Sequence, residues 1–244
     1  ITAGPMLGHI TTMDAKIWLQ TESPSELTVS YWSESVKTKN IVLATSAETW
    51  NTATIQVENL TPNTVYSYTI QSKGDVLFKG SFKTLDLLNT KNLSNFCFAF
   101  GSCTYINETE YDREGEPFGR ALNIIKSIER KEPNFMLWLG DNIYLRKGEW
   151  TSKTGIYRRY TQFKSQPELQ SFWQNTTHYA IWDDHDFGPN DADRSFINKD
   201  LTLQAFKDFW ANPSYGINGD PGITTSFTYQ DIEFFLLDNR YFRS

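Results

Sequence analysis

The chain has 244 residues, with 8 Trp, 12 Tyr and 17 Phe and a net charge of −6. That length suits one large domain or two ordinary ones, and the aromatic content can fill a sizeable core. Charge without a basic patch disfavours a nucleic-acid partner, no apolar run reaches the roughly 18–20 residues of a membrane span, and two cysteines make no disulfide framework.

Residues 1–85 read as an all-β unit. Short runs near period two, AKIWLQT, ELTVSYW, TATIQVENL, VYSYTIQS and LFKGSFKT, alternate with the turn signals SPSE, TPN and KGD. Their spacing predicts a small β-sandwich. The opening ITAGPMLGHITT has neither a basic start nor an apolar core, so it is no signal peptide. Without an initiator Met, the chain is expected to be a mature or trimmed product.

Residues 86–95, DLLNTKNLSN, are polar and irregular and read as a linker. From residue 96 to 244 the pattern changes. FCFAFGS and NFMLWLGD are apolar runs of strand length. Between them, residues 118–131 carry Leu122, Ile125 and Ile128 at helical spacing, with Pro133 beyond the end. GIYRRYTQFKS and PELQSFWQN read as helices, HYAIWDD as a strand, and LTLQAFKDFWA as a further helix. GITTSFTY and IEFFLLDNR read as a hairpin turning at Gln230–Asp231. Alternating strands and helices predict an α/β core with buried parallel strands. A Cys97–Cys103 disulfide is compatible with the cysteine count and would close only a short loop.

Each predicted parallel strand ends in reactive groups. The first leads to Cys103, the second to Asp141 and Tyr144, and the third to Asp183, Asp184 and His185, with Asn190 just beyond. Ligands of open α/β sheets bind outside the carboxyl ends of the strands, so these clusters are expected to meet in one cleft. Several carboxylates, a thiol and a phenol would repel one another once ionised, unless cations neutralise them. Hard oxygens suit Ca²⁺, Mg²⁺ or Fe³⁺, a thiolate suits a softer ion, and the mixed set predicts more than one metal. Asp191 and Asp193 read as solvated loop charges or caps.

Rival motifs fail on spacing. A phosphate-cradling Cys-x5-Arg loop has Thr109 where Arg is needed, and an EF-hand counted from Asp184 has Pro189 at its glycine position. No Walker A loop or Gly-x-Ser-x-Gly elbow occurs. Ser102 as a nucleophile has no His nearby in sequence.

Two resemblances follow from these residues. Leu60, Pro62 and Tyr66 resemble the Leu-x-Pro-x-x-x-Tyr pattern of fibronectin type III domains, whose tyrosine ties its hydroxyl back to the backbone, and Trp18 resembles their early core Trp. FGSC, WLGDNIY and WDDHDFGPND, in that order, resemble the PhoD-like alkaline phosphatases of the metallophosphatase superfamily, and LLDNRYFR resembles that family's LDxRxxR strand. This resemblance covers nearly the whole chain and implies an αββα phosphatase core after the β-sandwich. It implies Fe³⁺ and Ca²⁺ as cofactors, a phosphate-ester substrate, metal-activated hydroxide as the attacking species, and a periplasmic or secreted location.

By the same resemblance Cys103 would be a thiolate and Tyr144 a phenolate ligand to iron, Asp141 a metal-bridging carboxylate, and Asp184 and Asn190 further ligands. His185 would stand near the leaving group, with Asp183 orienting its ring or replacing Asp184 as ligand. The superfamily's later His and Asp ligands have no counterpart here, so the core is expected to be incomplete at its C-terminus and completed by a further segment or second chain. The rival functions are a non-enzymatic adhesion or binding module on a degenerate core, and a phospholipase-type phosphodiesterase.

Overall fold

The computed structural model describes residues 1–87, 93–119 and 122–244. Half of the predicted linker at 86–95 therefore lies outside the described residues, as do two positions of the predicted helix at 118–131.

The N-terminal part is a sandwich of β1 (Ala3–Ile10), β2 (Ala15–Gln20), β3 (Glu26–Trp32), β4 (Lys39–Ala44), β5 (Thr52–Val57), β6 (Val65–Ser72) and β7 (Asp75–Lys83). Strands β5, β2 and β1 form one layer, and β4, β3, β6 and β7 the other. Alternation along the strands sends Ile17, Leu19, Val29, Tyr31, Ile55, Ile70 and Phe82 into the shared core. The Tyr66 hydroxyl accepts a hydrogen bond from the Thr61 backbone N–H at 2.9 Å, the predicted tyrosine corner.

Strands β1 and β4 have no counterpart in the sequence expectation. In β1, Gly4, Pro5 and Gly8 interrupt the alternation by which a strand is read. Gly8 has a packing reason: a Cβ there would lie 2.4 Å from the Cβ of Ala211.

Trp18 departs from its expected place. It is fully buried, but it joins the core beneath the helices, opposite Ile17 and Leu19 on the pleat. Its indole N–H donates to the Asp208 carbonyl at 2.7 Å, and its ring lies 5.7 Å from that of Phe209. This edge of the sandwich is therefore buried on both faces.

The second part contains β8 (Phe98–Gly101), α1 (Asn123–Glu129), β9 (Phe135–Leu139), α2 (Lys153–Lys164), α3 (Pro167–Asn175) and β10 (Thr177–Ile181). It continues with α4 (Asp184–Phe187), α5 (Lys199–Phe209), β11 (Thr225–Tyr229) and β12 (Ile232–Leu236). Strands β8, β9 and β10 pair in parallel, and β10 also pairs in parallel with β1 at Leu7 and Thr177. One six-stranded sheet, ordered β5-β2-β1-β10-β9-β8, thus joins sandwich and α/β core. Met136, Trp138, Ala180 and Trp182 face the helices, while Phe135, Leu137 and Tyr179 face the β11–β12 hairpin. Strand β8 was expected to be buried; it is an edge strand, and Phe100 is 66% exposed.

Helix α1 starts later than expected, yet Leu122, Ile125 and Ile128 all reach the core as their spacing requires. The hairpin turns at Gln230–Asp231 as read. Both cysteines are free, so the compatible disulfide is not formed.

Candidate metal centre

The three loops that leave β8, β9 and β10 converge, because the strands are adjacent, parallel and in register. Backbone bonds fasten them: the Cys103 N–H donates to the Gly140 carbonyl at 3.2 Å and the Thr104 N–H to the Asp141 carbonyl at 2.8 Å. Cys103, Gly140 and Asp141 all have left-handed backbone, with φ of 66°, 95° and 50°. Such conformations persist where surrounding contacts over-determine them, and they gather at functional sites.

Gly140 is required twice over. Its φ is positive, and a Cβ would stand 2.7 Å from both the Asp183 backbone nitrogen and its Cβ. Gly140→Ala should destabilise the protein by roughly 2–4 kcal/mol, from backbone strain plus displacement of the β10 loop. Urea unfolding checks this; a loss below about 0.5 kcal/mol would show that the loop relaxes freely.

Asp141 is the hub. Its Oδ2 lies 3.6 Å from Cys103 Sγ and 3.2 Å from the Tyr144 hydroxyl, and its Oδ1 accepts from the His185 backbone N–H at 3.3 Å. Asp141, Asp184 and His185 each offer a ligand atom within 4.8 Å of the others. Calcium–oxygen bonds are about 2.3–2.6 Å, so donors on opposite sides of one ion stand up to about 5 Å apart. The residues fit a cation. Burial raises the Asp141 carboxyl above its usual range, with attraction to His185 opposing and repulsion from Asp184 adding to it. Burial, the Cys103 thiol and Asp141 push the Tyr144 phenol far up. These groups ionise together only if positive charge stands between them.

Asp183 and Asp184 turn to different sides of the loop. The chain does not continue as a strand; Asp184–Phe187 form one helical turn, which directs Asp184 toward Asp141. Burial opposes its charge, but the Asp191 N–H, His185 and Arg240 hold Asp184 below the usual carboxylate range. The Asp191 N–H reaches Asp184 Oδ2 at 2.6 Å, and Arg240 Nη2 stands 3.7 Å from Oδ1. Asp183 turns the other way. Its Oδ1 accepts from Asn239 at 2.9 Å and pairs with Arg240, so its bonds go to these side chains and not to the His185 ring. The Asn190 amide donates to Asp191 Oδ2 at 2.7 Å and is exposed.

The His185 ring lies on that of Tyr144, with centroids 4.4 Å apart. The other histidines are structural. His178 is fully buried between Trp138 Nε1 and the Phe172 carbonyl, and burial lowers its pKa to about 3. His9 meets the Tyr179 hydroxyl at 3.2 Å, and burial lowers it to about 4.

Sequence reasoning passed over Asp186. It is fully buried and accepts from the backbone N–H groups of Asn142 at 3.0 Å, Ile143 at 3.3 Å and Asp183 at 3.0 Å. It thereby ties the loop bearing Asp141 to the loop bearing Asp184. Burial raises its carboxyl to about 8, against these hydrogen bonds. Asp238 makes a comparable knot, accepting from Trp182 Nε1 and from the N–H groups of Ile223, Arg240 and Tyr241, each at 2.9 Å.

The chain is thus a β-sandwich merged with an α/β core, with acidic, thiol and phenol donors gathered at three strand ends. The resemblance read from the motifs is borne out: the chain is similar to PhoD-like alkaline phosphatases in sequence and has their fold. It is 25% identical over 168 residues to alkaline phosphatase D of Bacillus subtilis (strain 168), across 62% of this chain and 27% of that protein. A solved structure of PhoD superposes with a TM-score of 0.79 at 18% identity, covering 100% of this chain and 52% of that one. The chain therefore spans about half of the solved relative. Residues 1–83 match a family described as a domain of unknown function, DUF7800.

Proposed function

We propose that this chain forms the cation-binding end of a hydrolase that cleaves phosphate esters. One observation carries the reading: Cys103, Asp141, Tyr144, Asp184 and His185 assemble at the carboxyl ends of three adjacent parallel strands. In this reading the core is of the αββα kind, with the β11–β12 hairpin on the side of its second sheet.

Iron(III) and calcium are the cations proposed. Cys103 and Tyr144 would offer thiolate and phenolate to the iron, and Asp141, Asp184 and Asn190 would offer hard oxygens to the cations. Bound cations would neutralise phosphoryl charge and lower the pKa of a water. His185 donates a proton to the leaving oxygen from its place over the Tyr144 ring. Asp183 serves indirectly by holding Arg240 beside Asp184. Arg240 and the cations together offset the charge of an incoming phosphate. The location proposed is periplasmic or secreted, as the resemblance implies.

The test is hydrolysis of p-nitrophenyl phosphate and bis(p-nitrophenyl) phosphate, with iron and calcium measured per chain. Activity that a chelator removes and the two cations restore is the expected result. A protein that takes up neither cation and cleaves neither ester overturns the proposal, and the ratio of the two rates separates monoesterase from diesterase.

A further inference from the structure

Cys103 and Tyr144 sit on different loops, and the Arg146 side chain bonds to both of them. Its Nε and Nη2 donate to the two carboxylate oxygens of Asp112, at 2.8 and 2.9 Å. Nη2 also donates to the Ile106 carbonyl at 3.0 Å, and Nη1 donates to the Tyr144 carbonyl. Asp112 and Ile106 belong to the loop that begins at Cys103, while the Tyr144 carbonyl belongs to the loop that begins at Asp141. Around this fork the two loops close further. The Arg146 guanidinium covers the Tyr105 ring at 4.2 Å, the Tyr105 hydroxyl donates to Asp112 at 2.8 Å, and the Tyr105 ring lies 4.8 Å from that of Tyr144. Asp112 also accepts from the Glu108 N–H at 2.8 Å, which turns its loop back on itself. Burial opposes the Asp112 charge, but Arg146, the Glu108 N–H and the Tyr105 hydroxyl together keep the carboxyl below its usual range.

We propose that the Arg146–Asp112 clasp is a positioning device that sets the distance between Cys103 and Tyr144, so that thiol and phenol address one cation. The inference rests on the metal-centre reading above and adds to it the residues that organise the softer half of the donor set. Only a guanidinium can serve here. A planar fork reaches a carboxylate with two N–H groups and still has donors for two carbonyls, whereas an ammonium on the same stem cannot span them. Outer partners of metal ligands commonly change metal affinity by about 10–100-fold.

A second ion pair in the same region provides the control. Arg158 pairs with Glu108 at 2.9 Å and with Glu149 at 2.6 Å, so it also braces the loop. None of its bonds reaches Tyr144. The experiment compares wild type, Arg146→Lys, Asp112→Asn and Arg158→Lys, all in a Cys97→Ser background so that Cys103 is the one thiol. Ferric iron binding is followed by the tyrosinate charge-transfer band. In the metal-free proteins, the rate of Cys103 with a disulfide reagent is measured. Arg146→Lys and Asp112→Asn should weaken ferric binding about 10–100-fold, reduce the band at equal occupancy and speed the thiol reaction several-fold. Arg158→Lys should leave all three readouts near wild type. Equal losses in all three variants would reduce the clasp to general bracing of the loop and overturn the inference. If wild type binds no iron, the metal-centre reading falls, and the thiol rates still decide the clasp: unchanged rates in Arg146→Lys refute it.

Discussion

If the strand-end cluster holds cations as proposed, Asp141→Asn should abolish their binding while leaving the protein folded. Asparagine is close in shape to aspartate and, like it, tolerates the left-handed backbone found at this position, φ 50°. The side-chain oxygen that remains can still accept the His185 N–H. What disappears is the charge to which Cys103, Tyr144 and His185 all turn. Loss of one preorganised charge-stabilising group typically costs about 10²–10³ in rate, so phosphate-ester hydrolysis should fall by at least about 10²-fold. Iron and calcium per chain should fall with it.

The sign of the stability change separates this prediction from simple damage. In chelator, Asp141 is a partly buried carboxylate close to Asp184, and its carboxyl is raised from the ordinary range. Removing its charge removes chiefly a desolvation cost, so the thermal midpoint of the metal-free variant should not drop. With cations present the order reverses, because only wild type is stabilised by binding. A variant that melts well below wild type in chelator would show that Asp141 has a structural duty, and would break the link between lost metal and lost activity.

The sequence made the candidate site legible because its signals are local. Each reactive group follows an apolar run of strand length, and adjacency in a parallel sheet does the rest. Tyr66 and the hairpin at Gln230 were legible for the same reason, since a tyrosine corner and a two-residue turn are short-range patterns. Trp18 shows the limit. Alternation reports that Trp18 lies opposite Ile17, but not that the outer face of this sandwich is covered by α5. The one-turn helix at Asp184–Phe187 was hidden because the acidic run reads as a strand end. Asp186 read as one more like charge, yet it accepts from the backbone N–H groups of Asn142 and Ile143, more than 40 residues away. The Arg146–Asp112 clasp joins positions 34 residues apart, and nothing periodic marks such a pair.

Lys164 is the strongest case of a residue whose sequence context misleads, and it carries the largest stability effect expected outside the site. It ends α2, where a lysine normally faces water and complements the helix dipole. Here it is fully buried. Its ammonium stands 3.2 Å from the centre of the Trp210 ring, 4.3 Å from Trp173, 5.4 Å from Trp18 and 5.6 Å from Phe163. The hydrogen-bond partner of its Nζ among the described residues is the Met6 sulfur at 3.1 Å, and no carboxylate pairs with it there. A desolvated cation–π contact returns about 2 kcal/mol, and two of the four rings are close enough to give it fully. The effective cost of burying an unpaired ion is several kcal/mol even after relaxation. Burial wins, and it drives the Lys164 pKa well below the ordinary lysine value of 10.5.

Lys164→Met keeps the length of the side chain, suits the indole and thioether surroundings, and removes the charge. It should stabilise the protein at neutral pH by about 1–4 kcal/mol, on the scale found when buried ion pairs are replaced by well-packed apolar groups. In a chain of this size that raises the thermal midpoint by about 2–4 °C per kcal/mol. The pH dependence carries the sign. The unfolded lysine holds its proton up to about pH 10.5, while the folded one releases it at its lowered pKa. Between those two values the unfolded state binds more protons, so wild-type stability rises with pH, by up to about 1.4 kcal/mol per unit from this group. The variant should lack that rise, and its advantage should shrink steadily as pH approaches 10.5. Urea unfolding of both proteins across the neutral and alkaline range reads slope and offset together. A variant less stable than wild type at neutral pH would mean that the four rings hold the ammonium as a true cation cage, with the aromatic contacts outweighing desolvation.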